Sequence, residues 1–203
     1  MAPQELEKRL KTLEDSVRTV QDIEEIKNLQ KIYGYYLEHW QWEEIVELFS
    51  DSPDTSVEAG TGVFLGKESV KRFYSHGREK VPPEYLHLMP QVNDVVHIDA
   101  DGKTAKGRWY GFGALATLID GETRALWHSG IYENEYVKEG GKWKFKILHW
   151  SLIFHCPYED GWVKTPVPVS REDHKPDQPT TTYKPYPSGY IFPYHFKNPV
   201  TGK

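Results

Sequence analysis

The stretch G-I-Y-E-N-E-Y-V-K-E-G-G-K-W-K-F, Gly130 to Phe145, decides the fold. In an extended chain successive side chains alternate, so Tyr132 and Tyr136 fall on one face and Ile131 and Glu135 on the other. Gly140-Gly141 breaks the alternation with two residues suited to a tight hairpin turn. The period resumes over Trp143 to Phe154, which makes the stretch the turn between two long antiparallel strands. The basic residues between Lys138 and Lys146 alternate with aromatics and read as the wet face of that hairpin, not as a nucleic-acid footprint.

Working outward, the same period covers His87 to Ile98, Thr104 to Leu115 and Thr123 to Val137, with turns at Asp101-Gly102 and Asp120-Gly121. A short early strand is expected over Ser56 to Val63. Gly107, Gly111 and Gly113 lie inside a strand, where they relieve crowding on a bent sheet. Before Pro82-Pro83 the period is helical. Leu6, Leu10, Leu13 and Val17 predict a helix from Glu5 to Val20. A second, capped by Asp22, runs to His39 through Ile26, Leu29, Ile32, Tyr33 and Leu37. A third spans Trp42 to Phe49, and a short one follows Gly66 through Val70, Phe73 and Tyr74. Helices first, then hairpin-linked strands, predict an α+β fold in which a curved antiparallel sheet wraps against helices.

The chain of 203 residues suits one domain with an appendage. Its formal charge of -5, with acidic and basic residues mixed along it, offers no basic patch for DNA or RNA. Cys156 is the only cysteine, which excludes an internal disulfide and a cysteine-cluster metal site. No apolar run is long enough for a membrane span, so the sequence-level expectation is a soluble, cytoplasmic protein without a membrane partner. Eight of the fourteen prolines fall between Pro166 and Pro199. Prolines cannot supply the hydrogen bonds of a helix or sheet, yet Tyr183, Tyr186, Tyr190, Phe192, Tyr194 and Phe196 punctuate the same segment. That combination predicts an extended, ordered arm, packed on its own domain or on a neighbouring subunit. The expected division is 1–20 as a helical extension, 21–160 as the domain and 161–203 as the arm.

Aromatic residues reach 14% of the chain, which suits a pocket for a flat, partly polar ligand as well as a core. No phosphate-binding glycine loop, nucleophile elbow or compact metal-ligand spacing occurs, so no cofactor is expected. His87, His97, His128, His149 and His155 lie in the sheet region, and an imidazole in an apolar pocket is the natural acid or base near neutral pH. His87 stands out as a polar ring among the apolar neighbours of Y-L-H-L-M-P. Parity places Arg108 and Tyr110 opposite Trp109, and His128 with Tyr132 opposite Trp127, leaving open which face lines a cavity.

These features together resemble the SnoaL-like branch of the NTF2-like superfamily. The residues that carry the resemblance are Tyr33 with Glu38, Trp42 to Phe49, Gly66 to Val70, His87, Asp101 to Trp109 and Gly130 to Phe145, within a region of about residues 20 to 158. The resemblance implies a cone-shaped barrel closed by helices around an apolar cavity, assembled as a homodimer or homotrimer. It implies catalytic roles for Tyr33, Glu38 and His87, with Glu38 one methylene longer than the aspartate usual there. Arg108 and His128 are then candidates to stabilise negative charge, and Trp40, Trp109, Tyr110, Trp127, Tyr132 and His149 candidates to bind substrate. The proline-rich arm resembles an extension in aromatic-catabolism relatives.

The resulting expectation is a cofactor-independent lyase for a hydroxylated aromatic small molecule, acting by elimination or by retro-aldol loss of formaldehyde from a lignin-derived diaryl compound. A dehydratase or ketosteroid-type isomerase using the same residues is the enzymatic alternative. A noncatalytic small-molecule-binding protein is the alternative of a different class.

Overall fold

The computed structural model describes residues 3–75, 82–119, 121–165, 175–180 and 182–203. Asp120 of the Asp120-Gly121 turn and the Pro166-Pro168 part of the arm lie outside the described residues.

The chain opens with α1 (Pro3–Glu38), one helix where the sequence suggested two. No glycine or proline separates Val20 from Ile23, so nothing interrupts the hydrogen-bond ladder. Asp22, expected as a cap, is an interior position only 3% exposed. Its carboxylate accepts from Trp143 Nε1 at 2.9 Å and pairs with Lys138, which compensates for its burial. Helix α2 (Trp42–Glu47) is followed by β1 (Ser56–Ala59), β2 (Gly62–Leu65) and α3 (Lys67–Ser75). The single early strand expected over Ser56 to Val63 is thus a hairpin turning at Gly60-Thr61.

The expected strand from His87 is likewise divided, into β3 (Leu86–Leu88) and β4 (Gln91–Ile98), with Pro90 at the break. Three long strands complete the sheet: β5 (Thr104–Ile119), β6 (Glu122–Glu139) and β7 (Lys142–Pro157), before a short α4 (Gly161–Lys164). Strand order is β2-β1-β7-β6-β5-β3, with β4 also paired to β5.

Two expectations are corrected by this topology. β1 runs parallel to β7, so the sheet is mixed and not purely antiparallel. Nor is it a closed cone or barrel: β2 ends one side and β3 with β4 the other, and no pairing joins those edges among the described residues. Side chains from the helices supply the enclosure that strand closure does not. Ile26, Ile45, Phe49, Phe64, Val70 and Phe145, all fully buried, form the seal between helices and sheet. Gly113 marks where β3 crosses closest, since a Cβ there would lie 1.9 Å from the Leu88 carbonyl oxygen.

Parity resolves on one face. Trp109, Leu115, His128, Tyr132, Leu148 and Trp150 point toward the helices, whereas Arg108, Tyr110, Trp127, Glu133 and His149 point away. Much of the described arm packs on that outer side and along β2. Gln178 bridges to Val63, and Asp177 accepts from the Leu65 N–H at 2.8 Å and from Arg72 at 2.7 Å. Arg108 pairs with Glu133 at 2.5 Å and donates to the carbonyls of Pro193 and Phe192, its guanidinium lying 4.4 Å from the Tyr194 ring centre. His195 bonds the other Glu133 oxygen. His149 donates from Nδ1 to Glu58 at 3.1 Å while its Nε2 meets the Thr182 hydroxyl at 2.8 Å, an arrangement satisfied by the neutral ring.

Replacing Arg108 by Met leaves Glu133 largely buried without its guanidinium; a loss of about 3 kcal/mol in chemical unfolding is expected, with faster proteolytic release of the arm. Burial holds the His149 pKa down at about 4, opposed by the charge of Glu133. A group with a depressed folded pKa favours the unfolded state as protons bind there first. Stability is therefore full above about pH 6.5 and falls by up to about 3 kcal/mol toward pH 4. In His149→Gln the slope of unfolding free energy across that window should flatten; an unchanged slope would refute this origin.

Candidate active site

Between the inner face of the sheet and the helices lies a cavity of about 360 Å³. Helix α1 presents Tyr33 and Leu37 to it, one turn apart on the same face. Glu38 is displaced by about 100° from Leu37 around the helix axis and is absent from the lining. The helix ends there, and Trp40 takes a positive φ of 50° that brings its ring into the cavity wall, held by a bond from Nε1 to the Tyr74 carbonyl at 2.9 Å.

At one end three phenols meet. The hydroxyls of Tyr33 and Tyr74 are 3.1 Å apart, and the Tyr132 ring stands edge-on to Tyr33 with centroids 6.0 Å apart. Burial pushes Tyr33 up to about 12 and raises Tyr74 and Tyr132 well above the usual phenol range. All three therefore stay protonated and serve as hydrogen-bond donors at any ordinary pH.

Histidines form the other polar surface. His87, on β3, is 8% exposed, with its ring parallel to Tyr85 at 6.3 Å and edge-on to Trp40 at 6.0 Å. His128 on β6 lies directly across from His155 on β7, and their Nδ1 atoms are 2.7 Å apart. The His128 ring also stacks on Trp150 at 5.3 Å. A hydrogen bond between two Nδ1 atoms of neutral rings requires one to carry the proton and the other to offer a lone pair. The rings are then opposite tautomers: one keeps a basic Nε2, the other an acidic Nε2–H. The pair can in this way offer one proton acceptor and one proton donor.

Of the residues expected at the site, Tyr33, Trp40, His87, His128 and Tyr132 line the cavity. Glu38, Arg108, Trp109, Tyr110, Trp127 and His149 do not. Trp109 is 3% exposed and packs edge-on against Tyr136 in the core beneath the cavity. Arg108 and His149 hold the arm on the outer face, Tyr110 is exposed there, and Trp127 stacks on Phe112 at 5.7 Å. His155, Tyr74, Tyr85, Trp150 and Tyr183 were not singled out for the site by the sequence, although all five line it. Only the fold could bring Tyr183 in from the arm.

The lining contains no aspartate, glutamate, lysine or arginine among the described residues, so imidazoles and phenols are its titratable groups. No set of three His, Cys, Asp or Glu among the described residues is placed to hold a metal ion. Cys156, adjacent to His155 in sequence, is buried on the opposite face, and that burial raises its thiol pKa. No helix among the described residues is long and apolar enough to cross a membrane.

Known proteins place this architecture. A candidate scytalone dehydratase of Novosphingobium aromaticivorans superposes with a TM-score of 0.60 at 19% identity, over 70% of this chain and 91% of its own. A hexachlorocyclohexane dehydrochlorinase, LinA-type3 of Novosphingobium barchaimii, gives 0.55 at 16% identity, over 70% and 93%. A candidate aromatic ring hydroxylase of N. aromaticivorans gives 0.57 at 17% identity, over 70% and 96%. At these identities the likeness speaks for the fold, and the chemistry must be read from the side chains. The SnoaL-like domain profile matches residues 18–149, the span of the sheet and helices that form most of the cavity wall, and the chain belongs to the SnoaL-like family of the NTF2-like superfamily.

Proposed function

We propose that the chain is a lyase for a hydroxylated aromatic small molecule, using its own side chains as acid and base without a cofactor. The observation that carries this reading is the His128–His155 contact in the wall of an otherwise uncharged, aromatic-lined cavity. The cavity volume is at the low end of the range of about 300–1,000 Å³ for small-molecule sites, enough for one compact ligand. Trp40, Trp150 and Tyr85 offer flat walls to an aromatic ring, and Tyr33 with Tyr132 offers hydroxyl donors to an oxygen that gains charge. Fold relatives named for dehydratase and dehydrochlorinase activities lend support from chemistry of the same general kind, the breaking of a bond to carbon by elimination.

The finer reading is loss of formaldehyde from a lignin-derived diaryl compound bearing a hydroxymethyl group beside a benzylic alcohol. The basic Nε2 of the pair takes the hydroxymethyl proton, and the carbon–carbon bond to that group breaks. Its electron pair forms the new double bond while the benzylic hydroxyl leaves as water, carrying the proton of the acidic Nε2–H. A para-hydroxyaryl ring shares the charge that develops at the benzylic carbon. The Nδ1 proton crosses between the rings, which end neutral with their tautomers exchanged; the products are an alkene, formaldehyde and water. His87, one strand beyond β5 on the same sheet, is then a second proton-handling group that orients a substrate hydroxyl. Simple loss of water uses the same acid and base but retains every carbon, so product analysis separates the two reactions.

His128→Ala and His155→Ala should each lower kcat/KM on hydroxylated diaryl substrates by about 10²–10⁴-fold, and the double variant little further, because the two rings act as one unit. Formaldehyde release and product mass are the measurements. Two folded single variants of full activity would remove the imidazole pair from the mechanism, and ligand retention without turnover in the native chain would favour a binding protein. Tyr33→Phe should lower kcat by about 10²-fold if its hydroxyl meets the developing charge. The same change costs about 1 kcal/mol of stability through the lost bond to Tyr74, so kinetics and unfolding are measured together.

A further inference from the structure

The first five turns of α1 project beyond the sheet, and every residue from Pro3 to Val20 is exposed. Within them Leu6, Leu10, Leu13, Val17 and Val20 follow spacings of four, three, four and three, and each is between 50% and 62% exposed. That is the alternation of an unbroken heptad seam, with Leu10 and Val17 at a and Leu6, Leu13 and Val20 at d.

We propose that this stripe is the seam of a parallel two-stranded coiled coil formed with a second copy of the chain. The protein's own domain does not cover it. At 100° per residue the stripe is centred about 160° around the helix from the face formed by Asp22, Ile26, Gln30, Tyr33 and Leu37, which is buried on the domain. Because α1 is continuous through Asp22, the two faces remain back to back. A second copy can therefore lie along the stripe with each globular domain on the outer side of its own helix.

The flanking charges select the partner and its direction. Arg9 occupies a g position and Glu14 the following e position, which in a parallel pair places Arg9 of one copy beside Glu14 of the other in both directions. An antiparallel pair would face e against e, setting Glu7 and Glu14 of one copy toward those of its mate. Within the helix, Asp15 is engaged by Lys11 at 3.7 Å and Arg18 at 3.8 Å on the outer side, clear of the seam. Beyond Val20 the next a and d positions are Glu24, Lys27 and Lys31, so the seam closes where the domain begins. Most of it also precedes residue 18, where the family domain starts.

The test uses the full chain. Light scattering should give a dimer for the native protein and a twofold lower molar mass for the double variant Leu10→Glu, Leu13→Glu, with near-ultraviolet circular dichroism from the domain's aromatics unchanged. Under oxidation, Leu10→Cys should yield a disulfide-linked pair, because a parallel seam sets identical a positions against each other while Cys156 stays buried. Arg9→Glu should weaken the dimer, and adding Glu14→Arg should restore it. A mass that the double glutamate variant leaves unchanged, a native monomer, or a threefold fall in mass would overturn the proposal.

Discussion

The structure depends on one buried carboxamide. Gln30, fully inaccessible in the middle of the docked half of α1, accepts from Asn134 Nδ2 at 2.9 Å and from the Tyr136 hydroxyl at 2.8 Å, and donates to Gln91. The other end of Asn134 accepts the backbone N–H of His149 at 3.0 Å. Helix α1 is tied in this way to β4, β6 and β7 at a single level. Apolar contacts alone tolerate sliding or rotation, whereas an interior amide left without partners costs about 1–3 kcal/mol. The network thus fixes both the height and the rotation of the helix. Tyr33 and Leu37, one and two turns further on, inherit that setting, and so does the placement of the phenol cluster over the sheet.

Much of this was legible in the sequence, and the reasons for the rest are physical. The long strands, their glycine turns and the two sets of faces in β5 and β6 follow from period and parity. The partner of His128 does not. Counting from the Gly140-Gly141 turn, with Glu139 opposite Lys142, places Ile153 across from His128. Two register shifts, near Glu135 and Ser129, each add one residue to β7 and bring His155 there instead. A bulge needs no distinctive residue, so neither shift leaves a mark in the composition. The continuity of α1 was obscured for a related reason: aspartate is a frequent cap, and only tertiary partners reveal that Asp22 is an interior residue. Sheet closure, too, depends on edges that pairing preferences within single strands do not specify.

Removing Glu38 and Arg108 from the cavity changes the electrostatic character of the site. A histidine paired with a carboxylate is biased toward its protonated form, whereas two imidazoles bonded to each other share one proton without net charge. Neutral partners suit a small, partly open chamber with aromatic walls, against which an isolated ion would be poorly solvated. Tyrosines kept protonated by burial add hydroxyl donors to that surface without adding charge.

Gly60 and Tyr183 carry the arm's packing into the chamber itself. A Cβ on Gly60 would lie 2.7 Å from the Tyr183 ring, so the tight β1–β2 turn and the arm are fitted to each other, and both line the cavity. The family domain ends by residue 149, well before this tyrosine. Part of the chamber's shape is therefore encoded in a segment that lies outside the seven strands and beyond the span of the family domain. Changes in the arm can redraw the space open to a ligand while the imidazole pair and the phenols stay where the sheet has set them.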